Sequence, residues 1–336
     1  MAFRTGPRNL ITDVAGLLVG NAVDEKVKSG TTVLLCEEPA VAGVQVLGGA
    51  PGTRETDLLE AHNSVEAIDA LVLSGGSAFG LDAASGVQAA LREDGKGYEV
   101  RTGLRIPIVP AAILFDMMNG GDKDWGRYPP FRELGYEAAR TASRDFAIGT
   151  AGAGAGALTA GLKGGLGSAS CVLENGVTVG ALVAANPTGS VTIGKSRHFW
   201  AAPFEVENEF GGLGFPERLP DDATDLLIKY REMRGALANT TIGIVATDAK
   251  LTKAQAKRLA VAAHDGFAHA IWPTHTPVDG DLVFGVATGR SSAAIDPDTA
   301  LDLYAAAGAA MARAIARAAF LATPAPGDLM PCWSER

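Results

Sequence analysis

The chain has 336 residues, with 29 Lys and Arg against 38 Asp and Glu and a formal charge of −9. Apolar residues make up 47% and charged residues 20%, a globular composition with enough chain to bury a large core. The acidic balance argues against a binder of nucleic-acid backbones, which needs clustered Lys and Arg, and no apolar stretch reaches the roughly 20 residues that span a bilayer.

The opening segment lacks a continuous apolar run, so no secretory signal is expected. Residues 8–20 predict a short strand, a turn and another strand. Residues 31–38 and 43–49 are two β-rich runs, and 55–70 reads as loop and helix. Residues 70–80 form a buried strand entering a glycine turn, followed by apolar positions at helical spacing over 81–94. A further strand is expected at 105–117 and a helix at 132–143. A glycine-rich block covers 149–170, and 176–194 alternates like a hairpin around Asn186-Pro187-Thr188-Gly189. Residues 201–239 are polar, charged and rich in proline, and predict an exposed connector with a short helix at 222–233. The last third predicts strand, helix, strand, helix over 240–249, 251–271, 281–289 and 297–321, with Thr252 as an N-cap and Pro297 at the first helical position. Many strands with few long helices imply a layered α+β architecture.

Cys36, Cys171 and Cys332 form no CxxC pair and suit a reducing compartment, with cytoplasmic location expected. Several local patterns imitate known motifs without their context. Residues 189–196 satisfy GxxxxGK[ST], but the middle is β-branched and no helix-forming stretch follows. Gly152 opens a GxGxxA pattern whose continuation is broken by glycines, so no crossover helix fits. Ser77 lies in GGSAFG, where Phe79 replaces the second glycine of a nucleophile elbow. His264 and His269 are five apart on a helix and do not share a face, and His62, His198 and His275 are isolated. Neither a metal nor a cofactor is expected.

The informative junction is Asn239-Thr240, where a polar connector ends and a strand begins. Taken alone it is an ordinary loop-to-strand boundary. Were this peptide cut, Thr240 would carry both a hydroxyl and a free α-amine of pKa roughly 7.7–8.0, and the amine could serve as base for its own hydroxyl without any histidine.

Six ordered motifs surround that junction: 9–21, 73–87, 151–170, 184–190, 238–252 and 274–289. Together they resemble the DmpA-like peptidase family, which includes L-aminopeptidase/D-esterases, β-peptidyl aminopeptidases and 6-aminohexanoate-oligomer hydrolases. The resemblance implies a self-processing N-terminal-nucleophile enzyme with an αββα four-layer sandwich. It also implies one catalytic domain split into a larger chain, 1–239, and a smaller chain, 240–336. By the same resemblance Thr240 is the nucleophile and Asn239 the last residue of the larger chain. Asn186 is the asparagine beside the nucleophile and a candidate oxyanion donor, and Lys163 is the lysine that orients Thr240 or lowers its amine pKa. Asp279 is the carboxylate that holds a substrate ammonium or the Thr240 amine, with Asp281 in the same turn. The turn containing Ser74, Gly75, Gly76 and Ser77 lines the substrate pocket, near Phe115. The family's patterns differ here at Pro277, where relatives carry an aspartate or a serine, at Phe115, where a tyrosine is common, and at Asn21, where a histidine is common. The implied substrate is a short peptide or ω-amino-acid amide bearing a free amine, and the implied assembly is a homotetramer. Two competing readings stay open: an acyltransferase of the ornithine acetyltransferase type, and an unprocessed binding protein.

Overall fold

A computed structural model describes residues 4–229, 231 and 239–336. In chain order the strands are β1 (Leu17–Asp24), β2 (Ser29–Val46), β3 (Thr53–Arg54), β4 (Ile68–Ser74), β5 (Tyr98–Arg101), β6 (Leu104–Ile106), β7 (Ala111–Ile113), β8 (Leu158–Thr159), β9 (Leu162–Lys163), β10 (Gly165–Val172), β11 (Thr178–Ala185), β12 (Ile242–Thr247) and β13 (Leu282–Ala287). The α-helices are α1 (Ala83–Glu93), α2 (Phe131–Arg140), α3 (Lys253–Ala270) and α4 (Pro297–Phe320).

Residue alternation along the strands builds four layers. In β12 and β13, Ile242, Ile244, Ala246, Leu282, Phe284 and Val286 face a core shared with Leu34, Cys36, Leu71 and Leu73 of the opposite sheet half. The other face of β12 and β13 presents Val245, Val283 and Ala287 to α3 and α4. On the far side, Val33, Ala70 and Val72 meet α1 and α2. Each strand is therefore buried on both faces, which needs one helical layer outside each sheet half. The order is α1/α2, sheet, sheet, α3/α4, the expected αββα sandwich.

The two halves are joined by β2, whose 18 residues pair first with β1 and β4 and then with β13. The sequence suggested two separate strands here. A register shift between Leu35 and Ala40 accommodates Glu38 and Pro39, both exposed, and lets one strand bend from one sheet into the other. Other expectations also change. Residues 11–13 form a 3-10 turn instead of a first strand, and no α-helix occurs within 55–67. The strand expected over 105–117 reduces to Leu104–Ile106 in an exposed hairpin and Ala111–Ile113 in the sheet.

The hairpin expected around Asn186 does not form. Both edges of β11 are taken by β10 and β12, so the chain beyond Ala185 must leave the sheet. The described part of the expected helix at 222–233 is turn and bend, and residues 230 and 232–233 lie outside the described residues. The 201–229 connector is also less exposed than expected. Phe210 is buried in the α4 core, and Glu209 pairs with the buried Arg313 at 2.5 Å. The helix ends follow the sequence closely: the Thr252 hydroxyl and the Gln255 side chain form a capping box, and the Asp296 carboxylate accepts the Thr299 N–H at 2.8 Å. No described helix is long and apolar enough to cross a membrane.

Candidate active site

Thr240 sits one rung beyond the start of β12, and the ladders on either side explain its neighbours. β11 pairs Ala184 with Ile242 antiparallel, and the next rung brings Asn186 opposite Thr240. β13 pairs Ile242 with Leu282 in parallel, and the same offset brings Gly280 alongside. The Thr240 N–H accordingly donates to the Asn186 carbonyl at 3.1 Å. The Asn239 carbonyl receives two donors, the Gly280 N–H at 2.9 Å and the Thr240 Oγ1 hydroxyl at 2.5 Å. Thr240 is 3% exposed. The Asn239 side-chain amide is buried with neither Oδ1 nor Nδ2 hydrogen-bonded among the described residues.

Asn186 is fully buried and ties four segments together. Its Nδ2 donates to the Phe115 carbonyl at 2.9 Å, and its Oδ1 accepts the Leu158 N–H at 3.0 Å and Lys229 Nζ at 2.8 Å. The Phe115 contact leads to the SGGS turn. The next residue, Asp116, accepts the Gly76 N–H at 2.7 Å and the Ser29 hydroxyl at 2.6 Å. Burial holds the Asp116 carboxyl above the usual carboxylate range. Ser74 pairs with the Thr31 hydroxyl at 2.9 Å, Gly75 N–H donates to Gly30, and Ser77 N–H donates to Leu114. Gly76 has φ +84°, and a Cβ there meets the Phe131 ring at 2.1 Å, so the turn requires glycine. Phe115 and Ser77 are half-buried, and the turn presents Phe79 to solvent.

The two aspartates are buried and occupied. Asp279 Oδ1 accepts the Thr188 N–H and hydroxyl at 3.0 and 2.8 Å, and Oδ2 accepts the Thr276 N–H and hydroxyl at 3.1 and 2.5 Å. Burial, followed by the nearby Asp281, raises the Asp279 pKa. With four donors already on its oxygens, Asp279 fixes the 186–188 and 276–280 loops against each other. Asp281 Oδ1 accepts the Thr241 N–H at 2.8 Å, directly after the nucleophile candidate. Its Oδ2 faces His275 Nδ1 at 2.9 Å, and His275 Nε2 lies 3.2 Å from His264 Nδ1.

No local pattern in the sequence marks this histidine pair. His264 lies on α3 and His275 in the loop before β13, and only the packing of α3 over the sheet joins them. His264 Nε2 bonds to the Gln45 carbonyl at 3.0 Å, and burial pushes its pKa down to about 4. An unfolded histidine titrates near 6.5. Below that pH the unfolded chain therefore binds a proton that the folded chain refuses, so His264 erodes stability as pH falls from 6.5 to about 4. We predict a loss of about 3 kcal/mol across this window from this residue. Unfolding free energies from urea titrations at pH 7 and 4.5 should lie closer together in His264→Gln by most of that amount, and an unchanged acid slope contradicts the assignment.

Lys163 stands apart from these residues. Its Nζ pairs with Asp328 Oδ2 at 2.7 Å and donates to the Thr323 carbonyl at 2.9 Å, which ties the β8–β9 hairpin to the C-terminal segment. The lysine that reaches Asn186 is Lys229, from the connector that the sequence presented as solvated. Among the described residues no cluster of His, Cys, Asp and Glu is arranged to hold a metal ion.

Comparison with known proteins places the chain in a family. The sequence profile of peptidase family S58 matches residues 9–329. An uncharacterized aminopeptidase of Mycobacterium tuberculosis is 43% identical over 329 residues, covering 92% of each chain. The 6-aminohexanoate-oligomer endohydrolase of a Kocuria species is 27% identical over 292 residues, covering 84% of this chain and 76% of the relative. The solved structure of the L-aminopeptidase D-Ala-esterase/amidase from Ochrobactrum anthropi, described as a variant of the Ntn-hydrolase fold, superposes with a TM-score of 0.67 at 23% identity. It covers 98% of this chain and 91% of that one. The chain thus belongs to peptidase family S58 and is a hydrolase of peptide or amide bonds with an Ntn-hydrolase-like layered fold.

Proposed function

We propose that the chain cuts itself between Asn239 and Thr240 and that the freed Thr240 is the nucleophile of an aminopeptidase or amidase. What carries this reading is the contact at the junction: the Thr240 hydroxyl lies 2.5 Å from the Asn239 carbonyl oxygen, which also accepts the Gly280 N–H. In the self-cleavage step Oγ1 bonds to the Asn239 carbonyl carbon, and the Gly280 N–H stabilises the charge that develops on oxygen. The C–N bond then breaks, the hydroxyl proton passes to the departing nitrogen, and water hydrolyses the resulting ester. The products are an Asn239 carboxylate and a Thr240 α-amine.

In turnover the α-amine takes the Oγ1 proton, the hydroxyl attacks the substrate carbonyl, and the amine product leaves. Water then releases the acyl group from Oγ1. The two chains stay together in this reading, because β12 and β13 lie between β11 and β2 in one sheet. The substrate class is a short peptide or ω-amino-acid amide with a free amine, as the name of the Kocuria relative suggests. Since Asp279 is occupied by threonine donors, the ammonium of that substrate is held elsewhere, a departure from the role the resemblance assigns to Asp279.

Intact mass with N-terminal sequencing is the test. The expected result is two polypeptides, one ending at Asn239 and one beginning at Thr240, that remain associated until denatured. Active enzyme with an unbroken chain overturns the proposal.

A further inference from the structure

A buried lysine outside the family-implied set shares an acceptor with the nucleophile candidate. The Lys229 side chain is 1% exposed. Its Nζ donates to the Leu158 carbonyl at 2.6 Å, to Asn186 Oδ1 at 2.8 Å and to the Asn186 main-chain carbonyl at 3.1 Å. That last oxygen is the one that accepts the Thr240 N–H, also at 3.1 Å. Two nitrogens, one from each side of the Asn239–Thr240 junction, therefore share a single buried acceptor. The Lys229 main chain is fixed as well, through its N–H to the Thr188 carbonyl at 2.9 Å, and Thr188 is held by Asp279.

The hydrogen count favours the charged form. Nζ donates to at least three carbonyl oxygens among the described residues, and an ammonium offers three hydrogens where a neutral amine offers two. Burial pulls the other way, drawing the pKa down to about 7, while Asp279, Asp116 and Asp281 oppose it. Lys163, by contrast, is neutralised by direct pairing with Asp328.

We propose that Lys229 is the positioning residue of the Thr240 amine: it fixes Asn186, on whose carbonyl that amine rests, and its like charge keeps the amine unprotonated. This rests on the reading of Thr240 as a freed nucleophile. Once the junction is cut, a protonated Thr240 amine and the Lys229 ammonium would share the Asn186 oxygen inside a buried site. Repulsion between them disfavours the second proton and moves the Thr240 amine below the ordinary α-amine range of roughly 7.7–8.0. A free base is what the hydroxyl needs at neutral pH. Lys229 lies on the larger chain, so cleavage does not remove it from the mature site.

The test needs no knowledge of the substrate. Phenylmethylsulfonyl fluoride reacts with an activated hydroxyl: Oγ1 bonds to sulfur, fluoride leaves, and the amine takes the proton. The labelling rate of the 240–336 fragment, followed by mass across pH 5–10, reports the protonation of the amine. For the wild type the expected midpoint lies below the ordinary α-amine range. Lys229→Met should raise it by about one pH unit, and Lys229→Arg, which keeps the charge, should restore it toward the wild-type value. A shift in Lys229→Met that Lys229→Arg does not reverse, or no shift at all, overturns the proposal. If Lys229→Met fails to fold or to process, the wild-type midpoint decides: a value within or above the ordinary range overturns the role of Lys229 while leaving Thr240 as nucleophile. A wild-type chain that stays uncut, or a cut chain labelled nowhere on Thr240, overturns the reading on which this proposal rests.

Discussion

Replacement of Thr240 by alanine leaves one uncut polypeptide and removes turnover, by roughly a thousandfold or more. In the proposed mechanism the variant loses the hydroxyl that attacks Asn239, so no α-amine is released and neither half of the mature nucleophile exists. The fold should survive, because the Asn239 carbonyl keeps its Gly280 donor and the Thr240 main-chain N–H keeps Asn186. Far-UV circular dichroism and native mass should match the wild type, while a denaturing gel shows a single band. Thr240→Ser, which retains a hydroxyl, should still cleave. A two-band pattern or retained activity in Thr240→Ala sinks the mechanism.

Gly280→Ala should be nearly as damaging without removing any reacting atom. A Cβ at this position lies 2.7 Å from Thr240 Oγ1 and 2.6 Å from the Ala50 carbonyl, both closer than real Cβ contacts allow. The Ala50 carbonyl is main chain, in a bend tied by its own N–H to the Asp279 carbonyl, so relief of either contact disturbs the threonine hydroxyl or the Gly280 N–H aimed at the Asn239 oxygen. Losing one such donor from an oxyanion site costs roughly 10²–10³ in rate. We expect self-cleavage, timed by the appearance of two fragments after a synthesis pulse, to slow by at least about a hundredfold. Cleavage at the wild-type rate contradicts both the steric argument and the role of the Gly280 donor.

Under the proposed self-cleavage, the site also explains why the cut is hard to reverse. Hydrolysis places a new carboxylate on Asn239, whose main chain already bridges Asp279 in parallel. Asp279 and Asp281 are both fully buried, and a new buried carboxylate beside them is unfavourable. Departure of the new terminus relieves this cost and exposes Thr240, which is otherwise 3% accessible. The orphaned Asn239 amide adds to the same effect, since moving it into water satisfies both of its polar atoms.

Local physics was legible along much of the chain. The start of α3 could be read from Thr252 and Gln255, and that of α4 from Asp296 and Pro297, because capping involves residues within a single turn. The 240–249 and 281–289 strands were legible as apolar runs, and ordered motifs around Asn239-Thr240 pointed to the family. The long β2 strand was not, because Glu37, Glu38 and Pro39 look like a turn unless the bend between two sheets is known. Asn186 passed for the apex of a hairpin, because a strand's partners are set by edges that other segments occupy.

The sequence by itself determined the layered α+β class and the starts of α3 and α4, and it pointed to the residue pair at which chemistry is expected. Those follow from periodicity, capping and motif order, which are properties of neighbouring residues. Only the tertiary structure decided which groups surround that pair. Lys229 lies in a polar connector 43 positions after Asn186 and His264 11 positions before His275, and neither pairing leaves a mark on local composition. Tertiary packing also separates the two lysines: Lys163 pairs with Asp328, and Lys229 donates to the Asn186 carbonyl that accepts the Thr240 N–H.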